Sequence, residues 1–143
     1  MIIDKQLQFS DSQALTATAV STNVIDSGID GNLGVGEPMA VVITIEVEAD
    51  DANADETYSV ALQSDSDVGF GSAVELSSIS IPRGSAAGSK FVLPVPADNR
   101  GDQYFRVNYT LGGTTPSATV SCHMIPQSFI QNDFYFADGF TVS

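Results

Sequence analysis

The chain has 143 residues and a mass of 15.0 kDa, the size of one domain with a real core. A hydrophobic share of 43% excludes wholesale disorder. Eighteen Asp and Glu against five Lys and Arg give a net charge of −13, which argues against nucleic acid and anionic membrane surfaces as partners. A single cysteine excludes an intramolecular disulfide. In chain order, Met1 to Phe9 mixes Ile2, Ile3, Leu7 and Phe9 with Asp4 and Lys5. This segment is read either as an arm that adds to a neighbour's sheet edge or as the first strand of the chain's own sheet. Thr16–Val20 and Asn23–Ile25 are β-prone but short. Gly28, Gly31, Gly34 and Gly36 lack the spacing of a phosphate cradle and read as a wide turn into the next strand.

From there the period is two. Val41, Ile43, Ile45 and Val47 alternate with Val42, Thr44, Glu46 and Glu48, and Tyr58, Val60 and Leu62 with Ser59, Ala61 and Gln63. Val74 and Leu76 point one way, and Ile79 and Ile81 resume after a slip at Ser77-Ser78, which predicts a bulge. Phe91, Leu93 and Val95 form an apolar row, and Pro94 and Pro96 make it an edge strand. Phe105, Val107 and Tyr109, then Val120, Cys122 and Met124, complete the set. Turn residues separate these runs, at Asp30-Gly31-Asn32, Asp67-Val68-Gly69, Arg83-Gly84-Ser85, Asn99-Arg100-Gly101 and Gly112-Gly113. The expectation is an all-β, single-domain jelly roll or β-sandwich of about eight short antiparallel strands. It covers residues 1–127 with an arm over about 1–10, followed by a tail over 128–143.

That tail holds Phe129, Phe134, Tyr135, Phe136 and Phe140, five of the chain's 12 aromatics. Each ring buries roughly 150–250 Å² when covered, so the tail either packs back on its own domain or docks on a neighbour. Charge is uneven as well. Residues 1–82 carry 14 acids and one base, whereas residues 83–143 carry four of each. Such a field opposes close approach of like copies, and it equally fits plain solubility or a salty habitat.

The chemistry-bearing residues are few. His123 sits mid-strand on the more polar face, read as a surface or lightly satisfied strand histidine rather than a catalytic base, and no Gly-x-Ser-x-Gly elbow accompanies it. Cys122 points inward as a small hydrophobe, opposite to His123, which argues against a shared zinc ion. Asp51-Ala52-Asn53-Ala54-Asp55 opens like a calcium loop, but Glu56 and Leu62 stand where Gly and the closing Glu belong. Asp50 to Glu56 is therefore read as a solvated hairpin tip, and Asp65-Ser66-Asp67 similarly. No catalytic, cofactor or metal residue is assigned.

Met1–Asp11, Thr16–Asp26, Gly34–Pro38 and Tyr104–Tyr109 together resemble the capsid cement, or decoration, proteins of tailed phages, of the type described in Bordetella podophages. The resemblance covers roughly residues 1–125 and is loose between about 50 and 90. It implies a small non-catalytic jelly roll on the virion, bound to the outer face of the major capsid protein shell as a homodimer or homotrimer. The continuation from Gln127 to Ser143 departs from that pattern. The contact candidates are Ile2, Ile3, Leu7, Phe9, Phe129, Phe134, Tyr135 and Phe136, with residues 27–82 supplying an outward acidic surface. A carbohydrate- or receptor-binding β-sandwich is the alternative, and it requires clustered exposed rings or an ion-organised loop at Asp50 to Glu56.

Overall fold

A computed structural model describes residues 5–28, 38–96 and 100–127 of the chain. Lys5–Leu7 forms a single 3-10 turn. Nine strands follow among the described residues: β1 (Gln8–Leu15), β2 (Ala19–Val20), β3 (Ile25–Asp26), β4 (Met39–Val47), β5 (Thr57–Asp65), β6 (Val74–Ile81), β7 (Lys90–Pro94), β8 (Tyr104–Gly112) and β9 (Ala118–Pro126). They make two antiparallel sheets, ordered β1-β9-β4-β7 and β2-β8-β5-β6, with β3 also paired to β8. The all-β sandwich expected from the alternation is thus the fold.

The pairings reveal its logic. β2 and β3 both lie along β8 and act as one broken strand. Counted so, the first strand pairs the last, the second the seventh, the third the sixth, and the fourth the fifth. A long antiparallel ribbon has been rolled so that alternate pairs fall in opposite sheets, which is a jelly roll. The cross-links β4–β9 and β5–β8 then join the ribbon pairs within each sheet.

Inward-facing rows meet between the sheets. Val41, Ile43, Ile45, Cys122 and Met124 from one sheet face Val60, Leu62, Phe105, Val107 and Tyr109 from the other, all at most 2% exposed. Each large side chain buried this way stabilises by about 1.5–3 kcal/mol before entropy is counted. The β6 bulge falls at Leu76: Leu62 faces Ser77 and Gln63 faces Glu75, leaving Leu76 over. The extra residue lets Leu76, Ile79 and Ile81 all pack on the core despite their odd spacing. β7 lies at a sheet edge, as its closing Pro94 requires.

Both rims of the sandwich are tied. On one, the Asn23 amide donates to the Phe9 carbonyl at 3.0 Å and the Gln13 side-chain amide to the Val20 carbonyl at 2.9 Å, joining β1 to the β2–β3 segment. On the other, the Ser77 hydroxyl donates to the Pro94 carbonyl at 2.7 Å. β1 also carries two register shifts and a positive φ of 48° at Ser12, devices that keep an edge from pairing with another sheet.

Candidate functional site

The contact candidates divide sharply. Ile2, Ile3, Phe129, Phe134, Tyr135 and Phe136 lie outside the described residues. Leu7 and Phe9 lie within them, and both turn to the chain's own core: Phe9 is fully buried and Leu7 packs partly buried against the same cluster. Gln8 onward is therefore a strand of the domain's own sheet, paired to β9 with Gln8 opposite His123. Phe9 is not a surface group. The glycine-rich stretch at Gly31, Gly34 and Gly36 is outside the described residues.

The loops at one end form the most organised surface. Strands β4, β6 and β8 deliver the loops 48–56, 82–89 and 113–117 there. Ala49 is held on both sides, its amide donating to the Ser85 carbonyl and its carbonyl accepting from the Gly84 amide. The Asp50 amide donates to the Ser117 carbonyl at 2.9 Å. Tyr58 pins the same corner from below: its hydroxyl donates to the carbonyls of Asp50 and Ser117 at 3.0 and 3.1 Å, and accepts from the Ser117 amide. Burial, with the nearby Asp50 and Glu56 charges, raises the phenol's pKa.

The expected solvated tip is there for residues 51–55, which are exposed, but Glu56 departs from it. Glu56 is only 2% exposed, and its carboxylate accepts from the Asn53 amide at 2.9 Å, the Asn53 side chain at 3.1 Å and the Asp55 amide at 3.2 Å. Burial pushes its pKa up, but these donors outweigh burial and hold it below the ordinary value. Asp55 accepts from the amide and hydroxyl of Thr114 at 3.0 and 2.8 Å, which lowers its pKa as well. Asp51 pairs with Arg83 at 2.7 Å on the surface. The Asp-x-Asn-x-Asp opening is thus a clasp between the 48–56 and 113–117 loops. Its carboxylates are taken by N–H and O–H donors, the reverse of what a cation needs. Gly113 completes the clasp at a φ of +93°, where a Cβ would collide with the backbone of Asp55 and Glu56.

Asp65 behaves alike at the opposite end. It is buried, and its carboxylate accepts from the amides of Asp67 at 3.0 Å and Ser72 at 2.8 Å, which lower its pKa and shape the 66–73 loop. Asp102 accepts from Ser64 at 2.7 Å and from Arg100 at 3.1 Å. Arg106 donates to Gln63 at 2.8 Å and lays its guanidinium 4.4 Å from the centre of the Phe70 ring.

The nucleophile candidates are also absorbed. Cys122 is fully buried, and burial pushes its thiol up to about 12. His123 is 2% exposed, a buried strand histidine and not a surface one. It does lie on the face away from the core, but that face is covered. Among the described residues no three His, Cys, Asp or Glu side chains gather as a metal site. A void lined by Leu15, Ile45, Tyr58, Val60, Tyr109 and Val120 measures about 10 Å³. That is at the lower limit for one water and far below a ligand's needs. No helix among the described residues is long and apolar enough to cross a membrane.

Sequence reasoning missed the polar tethers: Tyr58, Gln13, and Ser21, whose hydroxyl accepts from the Val107 amide at 3.1 Å and donates to the Asn23 carbonyl at 2.8 Å. Ser21 bridges the break between β2 and β3. A polar head within an apolar row, as in Tyr58 and Tyr109, was the available signal.

The described surface is therefore built from hydrogen-bonded loops on a rolled β-ribbon. A family model matches residues 9–124, and the chain belongs to the Bbp16 family, a family of Bordetella phage proteins. It is a phage-type protein, and no curated protein matches it.

Proposed function

We propose that this phage-type protein is a capsid cement protein, which binds the outer surface of the major capsid protein shell as a homo-oligomer and stabilises it without covalent chemistry. The observation that carries the reading is polarity. The described chain enters at Lys5–Leu7 and leaves at Gln127 on the same end of the sandwich, since β1 and β9 are antiparallel neighbours. The opposite end carries Glu46, Glu48, Asp50, Asp51, Asp55 and Glu56 against Arg83 and Lys90, a larger excess of acid than Asp26, Asp65, Asp67, Glu75 and Asp102 against Lys5, Arg100 and Arg106 at the end of the termini. An attachment protein approaches with the end from which its terminal segments emerge and turns the repulsive end outward. The Bbp16 match and the tied rims support this reading, because a decoration must survive as a unit without opening its edges. A single contact of ~800 Å² is modest in affinity, and oligomeric valency multiplies it.

The test is addition of the purified protein to shells that lack it, with sedimentation followed by imaging of occupancy. Fixed-stoichiometry binding on the outer face, with greater resistance of the shells to heat, is the expected result. Shells that stay bare at saturating protein overturn the proposal.

A further inference from the structure

Two opposite charges on the outer face of the β2-β8-β5-β6 sheet are left unspent. Arg106 on β8 is held in one pose: its Nε donates to the Gln63 side-chain oxygen at 2.8 Å, and its guanidinium lies 4.4 Å from the centre of the Phe70 ring. Among the described residues its terminal N–H groups have no acceptor and no carboxylate pairs with it. No buried side-chain nitrogen among the described residues lacks a partner, so these groups reach solvent. A braced guanidinium with donors to spare suits bidentate recognition of a carboxylate. Glu75 on β6 is its counterpart: it is exposed and, among the described residues, has neither hydrogen bond nor ion pair. The register sets the two in one row, since Gln63 pairs with Arg106 on one side and with Glu75 on the other. They stand two strand spacings apart, about 10 Å, with Gln63 between them.

We propose that a second copy of this chain docks on this face across a twofold axis that runs along β5, with Arg106 of each copy pairing with Glu75 of the other. This deepens the reading of the protein as a homo-oligomer and rests on it. Such an axis exchanges β8 with β6 and keeps every row at its own height, so both ion pairs form at once, as a self-complementary interface requires. The neighbouring rows fit the same exchange: Asn108 meets Ser78 and Thr110 meets Ser80, with Ala61 on the axis. These side chains are short and uncharged, so two sheets can approach to about 10 Å over them. Those three rows carry one charge of each sign in a chain of net −13, so copies meet there without the repulsion of their acidic loops. An axis parallel to the strands also points the terminal segments of both copies toward one end, as joint attachment to one surface needs. An axis across the strands would point them apart.

Charge exchange tests the pairing, read as molecular mass by sedimentation equilibrium. The unmodified full-length chain should weigh as a dimer of its 15.0 kDa subunit, and a monomer or a trimer at micromolar concentration overturns the proposal. Glu75→Arg brings the net charge nearer zero, so relief of repulsion alone would tighten the dimer. It should instead weaken the dimer about a hundredfold, by setting cations face to face. Arg106→Glu should weaken it alike, and an equimolar mixture of the two variants should recover the dimer mass, because each copy supplies the charge that the other needs. A mixture of folded variants that stays monomeric overturns the proposal. Glu75→Gln, at an exposed side chain with no described partner, keeps the fold and should weaken the dimer about tenfold; unchanged association sinks the pairing even where Arg106→Glu does not fold. Shell binding is scored separately. Dimers that leave shells bare overturn the capsid reading and not this pairing, and monomers that decorate shells do the reverse.

Discussion

The Tyr109 hydroxyl, on β8 of one sheet, lies 2.7 Å from the Ser10 hydroxyl, on β1 of the other. Ser10 gives its own proton to the Gln13 side chain at 2.6 Å, so Tyr109 is the donor of the pair. Gln13 in turn holds the Val20 carbonyl, and the relay couples the sandwich interior to its tied rim. Replacing Tyr109 with Phe removes one buried hydrogen bond and leaves Ser10 still paired to Gln13. A loss of about 1–2 kcal/mol is expected in urea unfolding. A larger role for the rim would show as an altered m-value rather than a shifted midpoint alone.

Cys122, beside Tyr109 in the core, has its thiol raised by burial to about 12. At pH 8 the native protein should react with a thiol reagent roughly three orders of magnitude more slowly than the unfolded chain. The same shift sets the alkaline limb. The thiol's folded pKa stands above its ordinary 9.0, so its neutral form stabilises fully below pH 9, and that contribution is lost as pH rises toward 12. Tyr109, also raised by burial, adds to the loss above pH 10. Thermal melts should hold up to about pH 9 and fall from there toward pH 11, and Cys122→Ala should flatten that slope.

The acid limb has the opposite sign. Asp55, Glu56 and Asp65 are held below their ordinary values by backbone donors, so their contribution is present above those values and lost as pH falls through the lowered ones. Stability should therefore decline below about pH 4. Glu56→Gln should lower stability at pH 7 and reduce its fall between pH 5 and 2, read as Tm against pH.

Because those carboxylates are already satisfied, calcium should find no seat in the Asp50–Glu56 loop. Calorimetric melts with millimolar calcium and with chelator should agree within about 1 °C. A larger rise on adding calcium would show that the clasp opens to bind it.

Gly113 is the position where the clasp tolerates least. Ala there is strained at a φ of +93° and overlaps the Asp55 backbone. The expected cost is at least about 2 kcal/mol, a fall of roughly 8 °C in Tm. Phe9→Ala, which empties a fully buried ring site, should cost about 3–5 kcal/mol by the same measurement.

Strand identity was legible because period-two alternation is local: Val41 to Val47, Tyr58 to Gln63 and Phe105 to Tyr109 each announce one buried face. Even the bulge near Leu76 left a phase error that could be read. Two kinds of fact were not legible. That Asp55 is held by Thr114, 59 residues away, depends on the pairing of β5 with β8. That His123 is buried depends on Val42, brought beside it by the pairing of β4 with β9. In both cases the deciding partner is non-local, and the alternation of one strand carries no trace of it.

The rolled ribbon also dictates when the molecule can form. β9 is the last made of the described strands, yet it lies between β1 and β4 and pairs with both. Until Ala118–Pro126 has left the ribosome, Val41 to Ile45 lack one neighbour and β1 has none. The sandwich must wait for β9 and then close contacts spanning over a hundred residues, which makes its folding slow. A nascent copy therefore waits with the apolar β4 short of a neighbour, and the acidic residues that close and follow it, from Glu46 to Glu75, keep neighbouring nascent copies apart.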